Sequence, residues 1–402
     1  MSTAVDYEVI IVGGGPVGLL LGNLLGHGGI RTLLVEKNLA TPRQSMAIGI
    51  TPPSLEILSR VGLDETFIKE AVKVDHACIF EEKKLRGELR FNSLAGRYPF
   101  ILSLPLAKTN SLLEKNLERF SSVRIQHHCQ YLNAEEEQNN VNVVLRRAGD
   151  KDQLQTTRIL VGCDGHRSDV RTSAAIPCIE TKTYPQSFIM ADFYDRTDFG
   201  SKAHLYFNRA GALESFPLPE NLRRWILQLD QGQNRTDVDT LIDGIRRRSG
   251  LDLAPADGGE LNSFSVHRFV CSRYFAGKIA LCGDAAHVMS PIGGQGMNTG
   301  IADAEFLADV LIRHLRQSQD LATLLRHYDH VRRKAFTVAA NRAARGMWLG
   351  TRRGRTASFL RGLGIRILLG SGLHKRLPPY FSMQTIPGRS LSAGDFSTGV
   401  PG

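Results

Sequence analysis

The chain opens on a short apolar run, residues 8–12 (EVIIV), whose unbroken β-branched character is that of a parallel strand buried on both faces. Gly13-Gly14-Gly15-Pro16-Val17-Gly18 follows, then a second apolar stretch over 19–25 that reads as a helix packed on the strand. Residues 31–36 (RTLLVE) form another buried strand ending in a carboxylate, Glu36, eighteen residues after Gly18. In this strand–helix–strand order the glycines acquire distinct roles. Gly13 permits the tight turn, Gly15 lets a pyrophosphate approach bare backbone, and Gly18 lets the helix lie close to the sheet. Pro16 suits the first helical turn, where a missing N–H costs nothing. The free N–H groups of the helix start offer a positive end to phosphate, and Glu36 stands where ribose hydroxyls need acceptors. The unit predicts dinucleotide binding without separating FAD from NAD.

Two later segments repeat the theme of a strand delivering polar residues at its end. Residues 158–171 (RILVGCDGHRSDVR) run from an apolar strand into Cys163-Asp164-Gly165, with Arg167 and Arg171 beyond. Residues 278–304 (KIALCGDAAHVMSPIGGQGMNTGIADA) deliver Gly283-Asp284, Pro291 and Gly293-Gly294-Gln295-Gly296 before an amphipathic helix expected over 297–315. A strand-end carboxylate can hold polyol hydroxyls. A glycine-rich helix entry lets a flat ring lie against backbone, and the helix N-terminus stabilises negative charge on that ring.

With these three segments in this order and spacing, the chain resembles the FAD-dependent aromatic hydroxylases, the para-hydroxybenzoate hydroxylase-like monooxygenases, over about residues 6–333. The resemblance implies FAD as cofactor and NADPH or NADH as a transient cosubstrate. It also implies O2 addition at the flavin C4a and hydroxylation of a phenolic or polyketide-like ring by the resulting hydroperoxide. It assigns Glu36 to the adenosine ribose, Arg43 to the pyrophosphate, and Asp164 to the motif serving FAD and nicotinamide. Asp284 goes to the ribityl and pyrophosphate region, and Gly294, Gly296, Met297 and Asn298 to the border of the isoalloxazine ring, beside Pro291. Asn110, the candidate FAD contact on the helix of Leu113 and Leu117, stands where the family commonly has Gln or Arg, and Glu305-Phe306 replaces the usual Asn-Leu pair. Epoxidation or Baeyer–Villiger insertion uses the same flavin chemistry and stays open. A halogenase would need a WxWxIP signature, whereas the only tryptophans are Trp225 and Trp348. A cofactor-free binding protein on this fold is disfavoured by the intact ring-side glycines.

Between the second and third segments, 188–195, 203–208, 212–218 and 223–230 alternate apolar and polar residues and read as strands of a mostly antiparallel sheet. In the family such a sheet shapes the substrate pocket. Tyr206, Phe216 and Trp225 are its candidate lining, set against the plainer role of packing aromatics. No residue is legible as a catalytic base. His127-His128-Cys129 does not suit a metal, because adjacent strand residues face opposite sides.

Charge changes the picture only at the end of the chain. The formal net charge is +10, yet residues 331–402 hold thirteen Lys and Arg against a single acid, Asp395, leaving a net −2 over the rest. A nucleic-acid protein would spread its basic residues along a face with aromatics interleaved. Within this tail, 356–373 is apolar with Arg361 and Arg366. A basic helix on a membrane is one reading, but the expectation is packing over the substrate domain with the arginines outward and no membrane contact. The end from about Ser390 is expected to be disordered, and the chain is expected to stop short of the thioredoxin-like domain of larger family members. Six cysteines without metal-ligand spacing, no leader-like opening and no membrane-length apolar run read as a cytoplasmic protein.

The predicted class is α/β: a FAD-binding Rossmann-like parallel sheet, an inserted β-rich substrate domain and a helical C-terminal part. The FAD unit is expected to be discontinuous over 1–75, 100–175 and 276–335. The substrate unit takes 76–99 and 176–275, and the basic helical part takes 336–402.

Overall fold

The computed structural model describes residues 5–38, 47–230, 236–290 and 293–388. Its first sheet holds β1 (Tyr7–Val12), β2 (Thr32–Val35), β8 (Val123–Gln126), β9 (Cys129–Glu136), β10 (Val141–Arg147), β11 (Gln153–Gly162), β17 (Phe275–Ala276) and β18 (Ile279–Leu281). The second holds β5 (His76–Glu81), β6 (Lys84–Arg90), β12 (Cys178–Tyr194), β13 (Ala203–Asn208), β14 (Gly211–Leu218), β15 (Leu222–Gln228), β16 (Asn262–Cys271) and β19 (His287–Val288). Three short strands, β3 (Gly49–Ile50), β4 (Val72–Val74) and β7 (Ile101–Ser103), form a third. The helices are α1 (Pro16–His27), α2 (Pro52–Ser59), α3 (Asp64–Glu70), α4 (Leu106–Leu117), α5 (Asp169–Ser173), α6 (Val238–Ser249), α7 (Gln295–Gln317), α8 (Leu321–Thr351), α9 (Arg355–Gly370) and α10 (Leu377–Phe381).

In the first sheet β18, β11, β1, β2 and β8 lie side by side and parallel. Val9, Ile10, Ile11, Leu33, Leu34, Leu160 and Val161 are all fully buried there, as unbroken apolar strands covered on both faces require. The C-terminal ends of β1, β2, β11 and β18 therefore share one edge. Backbone bonds lock that edge: Gly13 N donates to Val35 O (2.8 Å), Cys163 N to Val12 O (2.7 Å) and Cys282 N to Gly162 O (2.9 Å). In an open parallel sheet this is the edge where ligands bind.

The eight-stranded second sheet runs β19-β16-β12-β15-β14-β13-β5-β6. It is antiparallel except where β13 pairs with β5. The strand expected over 188–195 is the end of a longer one, β12, whose register shifts between Thr183 and Ser187, around Pro185, which has no N–H for the ladder. Because side chains alternate along a strand, the sheet has two unlike faces. Ile189, Tyr206, Leu213, Trp225 and Leu227 pack with Leu241, Ile242 and Ile245 of α6. Phe188, Leu205, Glu214, Phe216, Arg224 and Ile226 occupy the other face, which meets α8 through a bond from Gln228 Nε2 to Thr351 O (3.3 Å).

The tail expectation holds in part. A helix, α9, does span most of 356–373 and buries Ser358 and Ile365. Arg361, expected outward, is buried instead. Its guanidinium caps backbone carbonyls, donating to Arg352 O (2.8 Å) and Asn208 O (3.0 Å), where it replaces water for groups that a strand end and a helix end leave open. The segment expected to be disordered, from about Ser390, lies outside the described residues.

Candidate functional site

All three glycine- and acid-bearing segments converge on the C-terminal edge of the parallel sheet. Gly13 sits at φ +111°, and a Cβ there would stand 2.4 Å from Cys163 O, so this turn accepts only glycine. Gly18 is as tightly packed: its Cβ would lie 2.0 Å from Gly13 O. Gly15 differs. At φ −76° it is not strained, and an added Cβ would meet no protein atom within 4 Å. The same open space surrounds Gly165, Gly294 and Gly296. Packing thus accounts for Gly13 and Gly18, while Gly15, Gly294 and Gly296 border a space that the protein itself leaves free. Pro16 opens α1 as expected.

Glu36 lies across this space from α1. Its Oε2 accepts from Gly14 N at 2.7 Å, and its Oε1 from Asn38 N and Nδ2 at 2.8 and 2.9 Å. A carboxylate offers about four lone pairs, so these bonds orient Glu36 and leave acceptor capacity for ribose hydroxyls. Asp284, at the end of β18, is open to solvent. Protein mass around it nevertheless desolvates the carboxyl and raises its pKa, against the opposing pull of His287 and His166. Access together with desolvation describes a group on the floor of a cleft.

Asp164 also has a task within the protein. Its carboxylate accepts from Ser168 Oγ (2.6 Å) and Val170 N (3.1 Å), so it organises the start of α5. Burial raises its pKa, partly offset by those bonds. Arg171, from the same helix, donates to Ala285 O (2.9 Å), tying the second segment to the third. Asn298 is likewise committed to the protein. Its Oδ1 accepts from Thr51 N (3.0 Å) and Ser54 Oγ (2.7 Å), and its Nδ2 donates to Gly49 O and Gly294 O (both 2.8 Å). With its polar atoms so used, its side chain staples the start of α7 to β3 and α2. Met297 is partly buried beside it, and Gly294, at φ +63°, caps α7. Gln295, the first residue of that helix, is buried with its Oε1 unpartnered among the described residues. Asn110 is buried on α4. Arg43 and Pro291 lie outside the described residues.

Two features escaped sequence reasoning. His287 bonds through Nε2 to Asp303 (2.6 Å), whose other oxygen accepts from Arg332 Nε (2.7 Å), all three being buried. Burial pushes the Asp303 carboxyl up, but His287 and Arg332 outweigh it and hold it below the usual value. The triad anchors the strand after Asp284 to α7 and α8. The spacing of His287 and Asp303 carries no motif, which is why it was not legible. The second feature is Glu214, on the α8-facing side of β14, across from Leu205 and Ile226. Desolvation alone lifts its pKa to about 7. A single acid in the otherwise uncharged run 211–218 (GALESFPL) was the available signal. Ile226 belongs to a cluster with Phe188 and Met347, and Ser290 Oγ lies 3.5 Å from Met347 Sδ, so this face adjoins the segment leading to Gly293 and Gly294. Phe216 shares that face; Tyr206 and Trp225 lie on the opposite one, filling the α6 core as packing aromatics.

Among the described residues no three His, Cys, Asp or Glu side chains converge as metal ligands. His127 and His128 sit in the turn after β8 rather than on a strand, with His127 Nε2 on Glu114 at 2.8 Å and His128 at φ +52°.

Comparison with known proteins agrees with this geometry. Residues 6–343 match the FAD binding domain family. A 6-methylpretetramide 4-monooxygenase from Streptomyces rimosus is 30% identical over 325 residues, 77% of this chain and 57% of that protein. The chain thus spans little more than half of that relative's length. A para-nitrophenol 4-monooxygenase from a Pseudomonas species is 27% identical over 343 residues, covering 82% of this chain and 83% of its own. The fold matches the crystal structure of p-nitrophenol 4-monooxygenase from Pseudomonas putida with a TM-score of 0.86 and 21% identity, over 93% and 97% of the two chains. The open, glycine-bordered space at the sheet edge is the candidate place for the cofactor, and the chain belongs to the FAD binding domain family, as FAD-dependent aromatic hydroxylases do.

Proposed function

We propose that the chain is an NAD(P)H-dependent flavin monooxygenase that hydroxylates a small phenolic or polyketide-like aromatic ring. The observation that carries the reading is the pairing of two surfaces. One is the open glycine-bordered space at the sheet edge, and the other is the Glu214 and Phe216 face of the second sheet, which adjoins the ring-side loop. FAD, reduced by NAD(P)H, supplies the activation of O2, placing one oxygen atom in the product and the other in water.

The chain's own residues then have defined tasks. Glu36 and the N-terminus of α1 hold the adenosine and pyrophosphate end, and Asp284 the polyol. The N-terminus of α7, at Gln295 and Gly296, directs its N–H groups toward charge on the ring. Phe188, Leu205, Phe216 and Ile226 provide an apolar wall that excludes water. Glu214 accepts the phenolic proton of the substrate, making the ring electron-rich enough for electrophilic oxygenation. Its pKa of about 7 suits a base working near neutrality. The absence of a second nucleotide fingerprint in the sequence fits a transient nicotinamide.

The test is turnover of a candidate phenol under labelled oxygen. One 18O atom in the product supports the reading. Full conversion of O2 to hydrogen peroxide with unlabelled product for every substrate that stimulates NAD(P)H oxidation overturns it.

A further inference from the structure

Among the described residues ten large hydrophobic side chains are exposed, and six of them lie between 348 and 367. On α9 they are Phe359 (69% exposed), Leu360 (66%), Leu363 (46%) and Ile367 (63%). Their spacing of one, four and eight residues places them on one helical face. The opposite face, with Ser358, Arg361, Gly362 and Ile365, is the buried one. A surface helix of a water-facing protein presents its polar side outward; α9 turns its apolar side out. Trp348 (58%) and Leu349, near the end of α8, are exposed as well, with Arg352 stacked 4.2 Å over the Trp348 ring.

Cations rim the patch. Arg355 and Arg366 flank the apolar face on α9, and both line a groove of about 620 Å³ with Phe359, Lys83, Lys84, Arg86 and Arg209 and with the carboxylates of Glu81 and Glu82. Arg366 and Arg209 are paired with Glu81 and Glu82, but Lys83, Lys84 and Arg355 have no acidic partner among the described residues. Leu85, also exposed, stands between Lys84 and Arg86 on the strand that borders the groove. From residue 330 to 394 the chain contains no Asp or Glu.

We propose that this face docks on an anionic lipid surface, the apolar side chains entering the headgroup boundary and the groove taking a lipid phosphate. An interfacial helix needs this combination of an apolar stripe, rimming cations and an aromatic anchor such as Trp348. A second copy of the chain is the wrong occupant, because a two-fold contact would set the same unpaired cations against themselves. No described helix is long and apolar enough to cross a membrane, so the contact is with one leaflet. The sequence-based expectation of no membrane contact assumed that the apolar residues of 356–373 were packed inward. The inference is independent of the proposed reaction.

The experiment is flotation of the full chain, loaded with FAD, on vesicles of phosphatidylcholine alone and on vesicles also containing phosphatidylserine. At low salt the anionic vesicles should carry roughly tenfold more protein than the neutral ones, and the excess should fall as ionic strength rises. Phe359→Glu with Leu363→Glu should abolish flotation. Lys83→Gln with Lys84→Gln and Arg355→Gln should remove the anionic preference. All five positions are exposed, so retained flavin absorbance and melting temperature check the fold. Absence of flotation on anionic vesicles overturns the proposal. Flotation unchanged in both variants overturns it too, as does a concentration-dependent dimer that the Phe359→Glu, Leu363→Glu variant dissociates.

Discussion

Replacing Glu214 with glutamine tests the electrostatics of the α8-facing side of the second sheet without reference to catalysis. Glutamine keeps the shape of the side chain and removes its titration. In the folded chain the Glu214 pKa is about 7, against 4.5 for the free group, with desolvation as the cause. Between those values the unfolded chain has released its proton while the folded chain retains it. Stability therefore falls as pH rises from about 4.5 to 7, and the loss is complete above pH 7. The full displacement corresponds to about 3 kcal/mol. Solvent reaching the partly exposed carboxyl trims this to about 1–2 kcal/mol. Glu214→Gln should thus be more stable than the native chain by about that amount at pH 8, with the gain fading toward pH 4.5. Urea unfolding of both proteins, stripped of FAD and followed by tryptophan fluorescence across this range, measures the difference directly, since every other titrating group cancels. A gain that is absent at pH 8, or that grows toward low pH, would refute the assignment of Glu214 as a desolvated, unpaired carboxyl.

Other substitutions probe the same surfaces. In turnover of a phenol, kcat/KM should rise with pH through an apparent pKa near 7, and Glu214→Gln should lower the plateau roughly 100-fold and flatten the rise. Gly15→Ala should leave the melting temperature of the FAD-free chain within a degree or so while weakening FAD binding at least tenfold, read by flavin fluorescence on titration. Gly13→Ala should instead destabilise the chain itself by more than about 2 kcal/mol, because its Cβ strikes Cys163 O. Asp303→Asn strips Arg332 of its buried counter-charge and should cost about 3–5 kcal/mol in chemical denaturation; a loss below 1 kcal/mol would show that the triad is not a structural anchor.

The cofactor half of the molecule was legible because its chemistry is carried by backbone. A pyrophosphate needs glycines at fixed offsets from a strand end, and fixed offsets survive in a linear sequence. Hence the turns after β1, β11 and β18 were readable in order, and the sheet places them on one edge. Side-chain roles within those turns were less readable. Asp164 and Asn298 bond within the protein to the start of α5 and to the junction of α7 with β3, tasks that their motifs do not announce. The motif names the segment in which a residue lies; which of its atoms remain for a ligand depends on partners 247 positions away, such as Thr51 for Asn298.

The substrate half hid its logic for a different reason. Alternation along β13, β14 and β15 tells which residues share a face but not which face looks toward the cofactor. Tyr206 and Trp225 are the large aromatics of that region, and burial in a core is what large aromatics gain most from, so they went to the α6 side. The other face holds Phe216, Ile226 and Leu205, the ion pair of Arg224 with Asp192, and one acid without such a partner, Glu214. An acid has reason to persist in such a place only if something there compensates its desolvation, and no side chain of the sheet does so for Glu214. A donor arriving from outside the protein supplies that compensation, and a phenolic O–H is such a donor. The same argument separates Glu214 from Asp303, which is buried more deeply but is already compensated by His287 and Arg332 and has nothing left to offer a ligand. Under the proposed function, this unmet electrostatic need, rather than burial or sequence pattern, is what assigns the Glu214 face to the substrate.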